Sequence, residues 1–337
     1  MSAVFVIIRT LAVVLLLLFF HCPVPLAAGT EQTTAQSLDV IPPSLSSSEG
    51  QAVKENEAVA WLELEKGLDY AELVTPGFSL VAVRINPEYF DFVLCSAGRD
   101  KEGARTLREW SEKYNLSVVI NASMYLPDGL TSTGYMRSGD YINNKRIVQR
   151  FGAFFAAQPD DPDLPRATIL ERDTDIWREL LSHYSVVIQN YRIISSGRRI
   201  LWSPGGPLYS ISAVATDGTG NILFLHSREP VEAYSFAQHL LHLPLDIRTV
   251  MYVEGGGQAG LLVRSQKLER EHQGRNAVNF LVSGRTVLLP NVIGAKPIAR
   301  ENGQKISANF IPVVHNWIYA FFPLFSVYCK NTFPCFC

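Results

Sequence analysis

A carboxylate directly before a run of glycines can do two kinds of chemistry. The segment TVMYVEGGGQAGLLV, residues 249–263, presents Glu254 followed by Gly255, Gly256 and Gly257. A glutamate at the end of an apolar run can give or take a proton, and bare glycine backbone can offer its amides to an anion. Gly255, Gly257 and Gly260 also satisfy G-x-G-x-x-G, a spacing used by loops that cradle a dinucleotide pyrophosphate. That use needs a helix after the glycines, with its N-terminus facing the phosphates. LLVRS follows instead and continues as a strand. A carboxylate ahead of the first glycine also repels phosphate unless it is protonated or paired. The dinucleotide reading is therefore set aside. A plain glycine turn and an acid or base beside an anion-binding turn both remain open.

The elements around this segment must position it. SISAVATD (210–217) reads as a strand, GTGN (218–221) as a hairpin turn and ILFLHS (222–227) as the return strand. Asp217, before Gly218, is a turn residue. SFAQHLLHL (235–243) is an amphipathic helix with Ser235 as N-cap, and TVMYV (249–253) is the next strand. Strand–helix–strand predicts a right-handed crossover between parallel strands. Glu254 then lies beyond the carboxyl end of a strand, the edge where open α/β sheets bind ligands.

Earlier in the chain, 78–86 and 89–97 read as strands, 106–115 as a helix, and 116–121 as a buried strand ending at Asn121. Residues 122–144 form a long segment with Tyr125, Tyr135 and Tyr141, read as an ordered functional loop. A helix is expected over 175–185 and a strand, paired or bent, over 185–194. The class expected is α/β in the mixed α+β sense. It has a mixed sheet, flanking helices, the crossover, and a single main domain over 58–300.

The chain has 337 residues, enough for a sizeable core. Its formal net charge is −2 and no basic block stands out, which excludes a nucleic-acid partner. LAVVLLLLFF (11–20) followed by small residues reads as a secretory signal over 1–29, with an uncleaved anchor as the alternative. Export to a periplasmic or extracellular space follows. Residues 30–57 read as a linker. Residues 301–337 are an apolar tail with Cys329, Cys335 and Cys337, readable as an anchor, a core element or an end unrelated to the fold. The terminal apolar segments are the means of any membrane association. Cys95 reads as a buried apolar residue. The tail cysteines lack a second ligand pair, so no metal site is assigned. No cofactor is expected, a divalent cation is left open, and the oligomeric state is not set by the sequence.

Several segments, in order, resemble the phosphodiester glycosidase family. They are VVINASMY (118–125), AVATDGTGNILFLHS (213–227) and SFAQHLLHLPLDIRTVMYVEGGGQAGL (235–261). RTVLLPNVIGAKP (285–297) is similar to the closing segment of bacterial members. The family commonly has Asp-Gly-Gly-Gly-Ser where this chain has Glu254, three glycines and Gln258. Many members also carry an arginine just before the strand written here as ISAVATD, and none occurs here between Arg199 and Arg228.

The resemblance implies hydrolysis of a glycosyl phosphodiester, with a carbohydrate or sugar phosphate as the bound partner. Such chemistry needs a carboxyl group, donors for phosphate and polar groups for the sugar. Glu254 is assigned as acid or base, with Asn121 as its catalytic companion. Tyr125 is assigned to the sugar, and the Gly255, Gly256 and Gly257 amides with Gln258 to the substrate. Arg137, Asp140, His226 and Arg228 are further substrate-binding candidates. The alternative is a non-catalytic carbohydrate-binding protein of the envelope or extracellular space on the same fold.

Overall fold

The computed structural model describes residues 58–174, 176–275 and 286–299. The signal segment, the linker and the cysteine tail lie outside the described residues. Strand accounts for 48% of the structure and helix for 13%. The protein is therefore mainly β, with short helices added, at the β-rich end of the mixed α+β class expected. Every strand pairing among the described residues is antiparallel.

Three sheets carry the fold. The first has seven strands: β1 (Leu62–Glu65), β2 (Leu68–Thr75), β3 (Phe78–Ile85), β13 (Ile222–Glu232), β12 (Leu208–Asp217), β14 (Ile247–Gly255) and β11 (Arg192–Ile194), in that spatial order. The second runs β7 (Tyr141–Asn144), β6 (Met136–Ser138), β10 (Tyr184–Asn190), β8 (Ala153–Pro159) and β9 (Ala167–Glu171). The third runs β16 (Glu269–Gln273), β15 (Gly260–Arg264), β5 (Val118–Asn121), β17 (Asn291–Pro297) and β4 (Phe90–Ser96). The helices are α1 (Ala97–Asp100), α2 (Leu107–Tyr114), α3 (Trp177–Ser182) and α4 (Ala233–His242).

Alternation along the strands explains the layering. On β12, Ile211, Ala213 and Ala215 face one side of the first sheet, where Phe236, Ala237 and Leu240 of α4 cover them. Val214 of β12, Phe224 of β13 and Met251 of β14 join a second core on the other side, shared by all three sheets. Phe155 and Val186 enter it from the second sheet, and Val118, Leu261 and Ile293 from the third. Period-two patterning on strands buried on both faces produces this arrangement.

The crossover takes a form the local sequence does not reveal. β13 and β14 run in the same direction, as expected, but β12 lies between them and pairs antiparallel with both. β4 and β5 repeat the pattern, with β17 inserted between them. A helical connection fixes the relative direction of two strands without making them neighbours.

The hairpin between β12 and β13 is as read. Asp217 accepts hydrogen bonds from the amides of Thr219 and Asn221, each at 2.9 Å, and Gly220 sits at φ +85°. Helix α2 starts at a full capping box, in which Thr106 and Glu109 satisfy each other's amides. Helix α4 starts earlier than expected: Glu232 is its N-cap, and Ser235 in the first turn donates to the Glu232 carboxylate at 3.0 Å. The segment expected to be one long loop contains the β6–β7 hairpin. The 185–194 segment does divide, sending β10 to the second sheet and β11 to the first. Cys95 is a free, buried cysteine, and burial pushes its thiol up to about 12.

Candidate active site

Glu254 occupies the last turn of β14. It pairs in register with Ser212 of β12, and Val253 is the extra residue of a β-bulge between Tyr252 and Glu254. A bulge re-aims the side chains around it. The Glu254 side chain is 8% exposed, and its carboxylate accepts from the Gly255 amide at 2.9 Å. Burial pushes its pKa up to about 7, opposed by that one amide. A carboxyl group in this state is poised to exchange a proton near neutral pH.

Three tyrosines stand around it. Glu254 lies close enough to Tyr125 and Tyr252 to raise both phenol pKa values, though burial is the larger cause for each. Tyr209 packs edge-on against Tyr252, with ring centroids 6.2 Å apart. Tyr209 and Tyr252 were not singled out from the sequence. A tyrosine two places before the carboxylate, inside the same strand, was the available signal for Tyr252.

The glycines have specific structural work. Gly256 has φ +65°, a left-handed conformation that side chains disfavour. At Gly255 a Cβ would lie 2.3 Å from the Tyr252 hydroxyl oxygen and 2.8 Å from the Tyr209 ring. The turn passes through a single 3-10 turn, Gly256–Gln258, and runs straight into β15. No helix follows, which agrees with the rejection of a dinucleotide loop.

Asn121 reaches this turn from the end of β5. Its Nδ2 donates to the Gln258 carbonyl at 2.8 Å, and its Oδ1 accepts from the Gly260 amide at 2.8 Å. Gln273 adds hydrogen bonds from Nε2 to the Gly257 and Ala259 carbonyls at 2.8 and 3.1 Å. The Gly274 amide donates to the Ala259 carbonyl at 2.7 Å. The turn's carbonyls are thus drawn into the protein. The side chain of Asn121 is spent on backbone, which makes it a positioning residue for the turn. Gln258 itself is exposed.

The remaining candidates divide. His226 is fully buried on β13, with Nδ1 3.0 Å from the Ser212 hydroxyl and Nε2 without a partner. Burial, with the neighbouring His272 and Arg228 charges, lowers its pKa to about 3. It is a neutral internal group with no solvent exposure. Ser212 is therefore the cross-strand partner of both His226 and Glu254. Arg228 is exposed two residues further along β13. Arg137 is committed elsewhere: its guanidinium donates to the carbonyls of Leu181 in α3 and Tyr184 in β10. Asp140 is exposed in the β6–β7 turn. Neither is brought to Glu254 by a contact among the described residues. No cluster of three or more metal-ligating side chains occurs among the described residues.

This arrangement defines a β-sheet protein with a buried acid beside a braced glycine turn. The family model described as phosphodiester glycosidase matches residues 114–296, more than half of the 337-residue chain, and the chain belongs to that family. The matched stretch holds Asn121, Tyr125 and Glu254 together with the whole glycine turn. Solved structures with a similar fold include the zebrafish N-acetylglucosamine-1-phosphodiester alpha-N-acetylglucosaminidase catalytic domain, auto-inhibited by its pro-peptide. It is 10% identical, with a TM-score of 0.49, over 71% of this chain and 86% of that one. A hypothetical protein from Synechocystis is 14% identical, with a TM-score of 0.47, over 72% of this chain and 64% of that one. A putative exported protein from Burkholderia pseudomallei K96243 is 10% identical, with a TM-score of 0.41, over 68% and 74%. No match is found among curated proteins.

Proposed function

We propose that the protein is an exported hydrolase that cleaves a glycosyl phosphodiester, releasing a sugar and leaving a phosphomonoester. The observation that carries this reading is Glu254: a buried carboxyl, held up to about 7, at a strand end beside a glycine turn. The family membership supplies the class of bond. In the step proposed, the bond between the anomeric carbon and the phosphate oxygen breaks. Glu254 delivers its proton to the departing oxygen, water supplies the new hydroxyl at the anomeric carbon, and the proton that the water gives up restores the Glu254 carboxyl.

The other residues serve that step. Tyr125 holds the sugar beside Glu254, and Asn121 fixes the turn that carries the acid. Arg228, exposed on the strand next to β12, is proposed to meet the phosphate. The Ser210 hydroxyl accepts from the Arg275 amide and donates to the Arg228 carbonyl, tying that strand end to the edge of the turn. The test is release of free sugar from synthetic glycosyl phosphodiesters.

One observation favours a second reading. Gln258 replaces the hydroxyl residue usual in the family and points to solvent. A protein that binds such glycans tightly and turns none of them over would be a carbohydrate-binding member of the family.

A further inference from the structure

A second cleft opens where the chain passes from the second sheet to the first. It encloses about 660 Å³ and is lined by Arg150, Arg172, Asp173, Tyr191, Arg192 and Trp202, among others. Its volume is that of an ordinary small-molecule site. Its lining combines aromatic faces with positive charge.

The charge is only partly cancelled. Arg192 pairs with Glu171 at 2.7 Å and with Asp173 at 2.6 Å. The Nε atoms of Arg172 and Arg192 are both buried with no hydrogen-bond partner. Among the described residues no carboxylate pairs with Arg172 or with Arg150. Arg150 is held instead over the Phe151 and Tyr191 rings, 5.8 and 5.6 Å from their centroids. Forked donors without a protein acceptor suit a phosphate or carboxylate.

The aromatic faces lead toward Glu254. Trp202 meets Tyr191 edge-on at 5.7 Å and Tyr252 at 5.6 Å, while its indole N–H donates to the Arg192 carbonyl at 3.1 Å. Tyr252 in turn lies within the electrostatic reach of Glu254. One continuous run of rings therefore joins the arginine cleft to the acid.

We infer that this cleft binds an anionic sugar residue, one carrying a phosphate or a carboxylate, as a subsite beyond the bond that is cleaved. Arg150 and Arg172 take the oxyanion, and Trp202 and Tyr191 pack on the sugar's apolar face. The inference deepens the glycosidase reading. Its link to turnover rests on that reading, whereas binding does not.

Calorimetric titration of the full-length protein carrying Glu254→Gln tests it, with glucose 6-phosphate, glucuronate, glucose and inorganic phosphate as probes. At least one of the two anionic sugars binds about tenfold or more tighter than both glucose and inorganic phosphate. Which one does so identifies the anion. Arg172→Ala and Trp202→Ala each weaken that probe about tenfold. Where either variant misfolds, Arg150→Gln, at an exposed position, gives the same readout. Equal affinity for glucose, equal affinity for inorganic phosphate, or undiminished binding in a folded variant overturns the inference. Absence of sugar release by the wild-type protein, with this binding intact, would count against the glycosidase reading alone.

Discussion

Asn121 accepts a hydrogen bond from the amide of Gly260, between the ends of two paired strands of the third sheet, at 2.8 Å. The bond ties the end of β5 to the start of β15, and the same side chain closes on the Gln258 carbonyl. Both partners are backbone groups, so the turn after Glu254 is held from outside its own strand. Asn121→Ala leaves the buried Gly260 amide without its acceptor and the Gln258 carbonyl without this donor. The expected cost is about 1–3 kcal/mol in urea unfolding, together with slower sugar release. Asn121→Asp keeps the acceptor but sets a buried carboxylate against the Gln258 carbonyl, so it does not rescue the loss. A variant with an unchanged unfolding midpoint would show that the turn holds itself.

Gly255→Ala tests the crowding above the acid. The added methyl group meets the Tyr252 hydroxyl and the Tyr209 ring. Overpacking of this kind costs about 1–3 kcal/mol. Tyr252→Phe removes the nearer of the two contacts and restores part of the loss. Denaturant titration of the two single variants and the double variant gives the coupling. Additive losses would mean the two residues do not press on each other.

The stability of the protein carries two opposed pH dependences. Glu254 has its folded pKa raised from 4.5 to about 7, so the folded state binds the extra proton in that window. Stability from this group is fully present below about 4.5 and falls as pH rises through about 7. Glu254→Gln therefore stabilises the protein by roughly 2–3 kcal/mol at pH 8 and changes it little at pH 4. Unfolding curves at the two pH values check this, and an equal shift at both would contradict it.

His226 acts in the other direction. Its folded pKa is lowered from 6.5 to about 3. Its stabilising share is present above about 6.5 and is lost as pH falls toward about 3. Replacing it with Gln keeps a polar partner for Ser212 and removes the titration, so acid unfolding begins at a lower pH. An unaltered acid midpoint would assign acid unfolding to other groups.

Much of the site was legible because its parts are local. The β12–β13 hairpin, the capped helix α2 and the strand ending in Glu254 each announce themselves within a dozen residues. The failure of the glycine fingerprint was legible too, since a strand pattern follows it. What the sequence withheld was non-local. Nothing in 210–253 reveals that β12 separates two strands joined by a helix. Nothing in 290–297 reveals that β17 inserts between β4 and β5. Arg137 looked available because a loop was expected around it, whereas the β6–β10 pairing turns it toward the Tyr184 carbonyl. The arginines of the second cleft lie between residues 150 and 192, and only the meeting of two sheets gathers them.

The pH profile of sugar release from a glycosyl phosphodiester, compared between the wild-type protein and Glu254→Gln, bears most directly on the role of Glu254. Acting as the acid, Glu254 gives a wild-type rate that falls as pH rises through about 7. Glu254→Gln loses about 10²–10⁴-fold in kcat and the falling limb with it, while the protein remains folded. A Gln variant that keeps the wild-type rate and the same limb would show that another group supplies the proton.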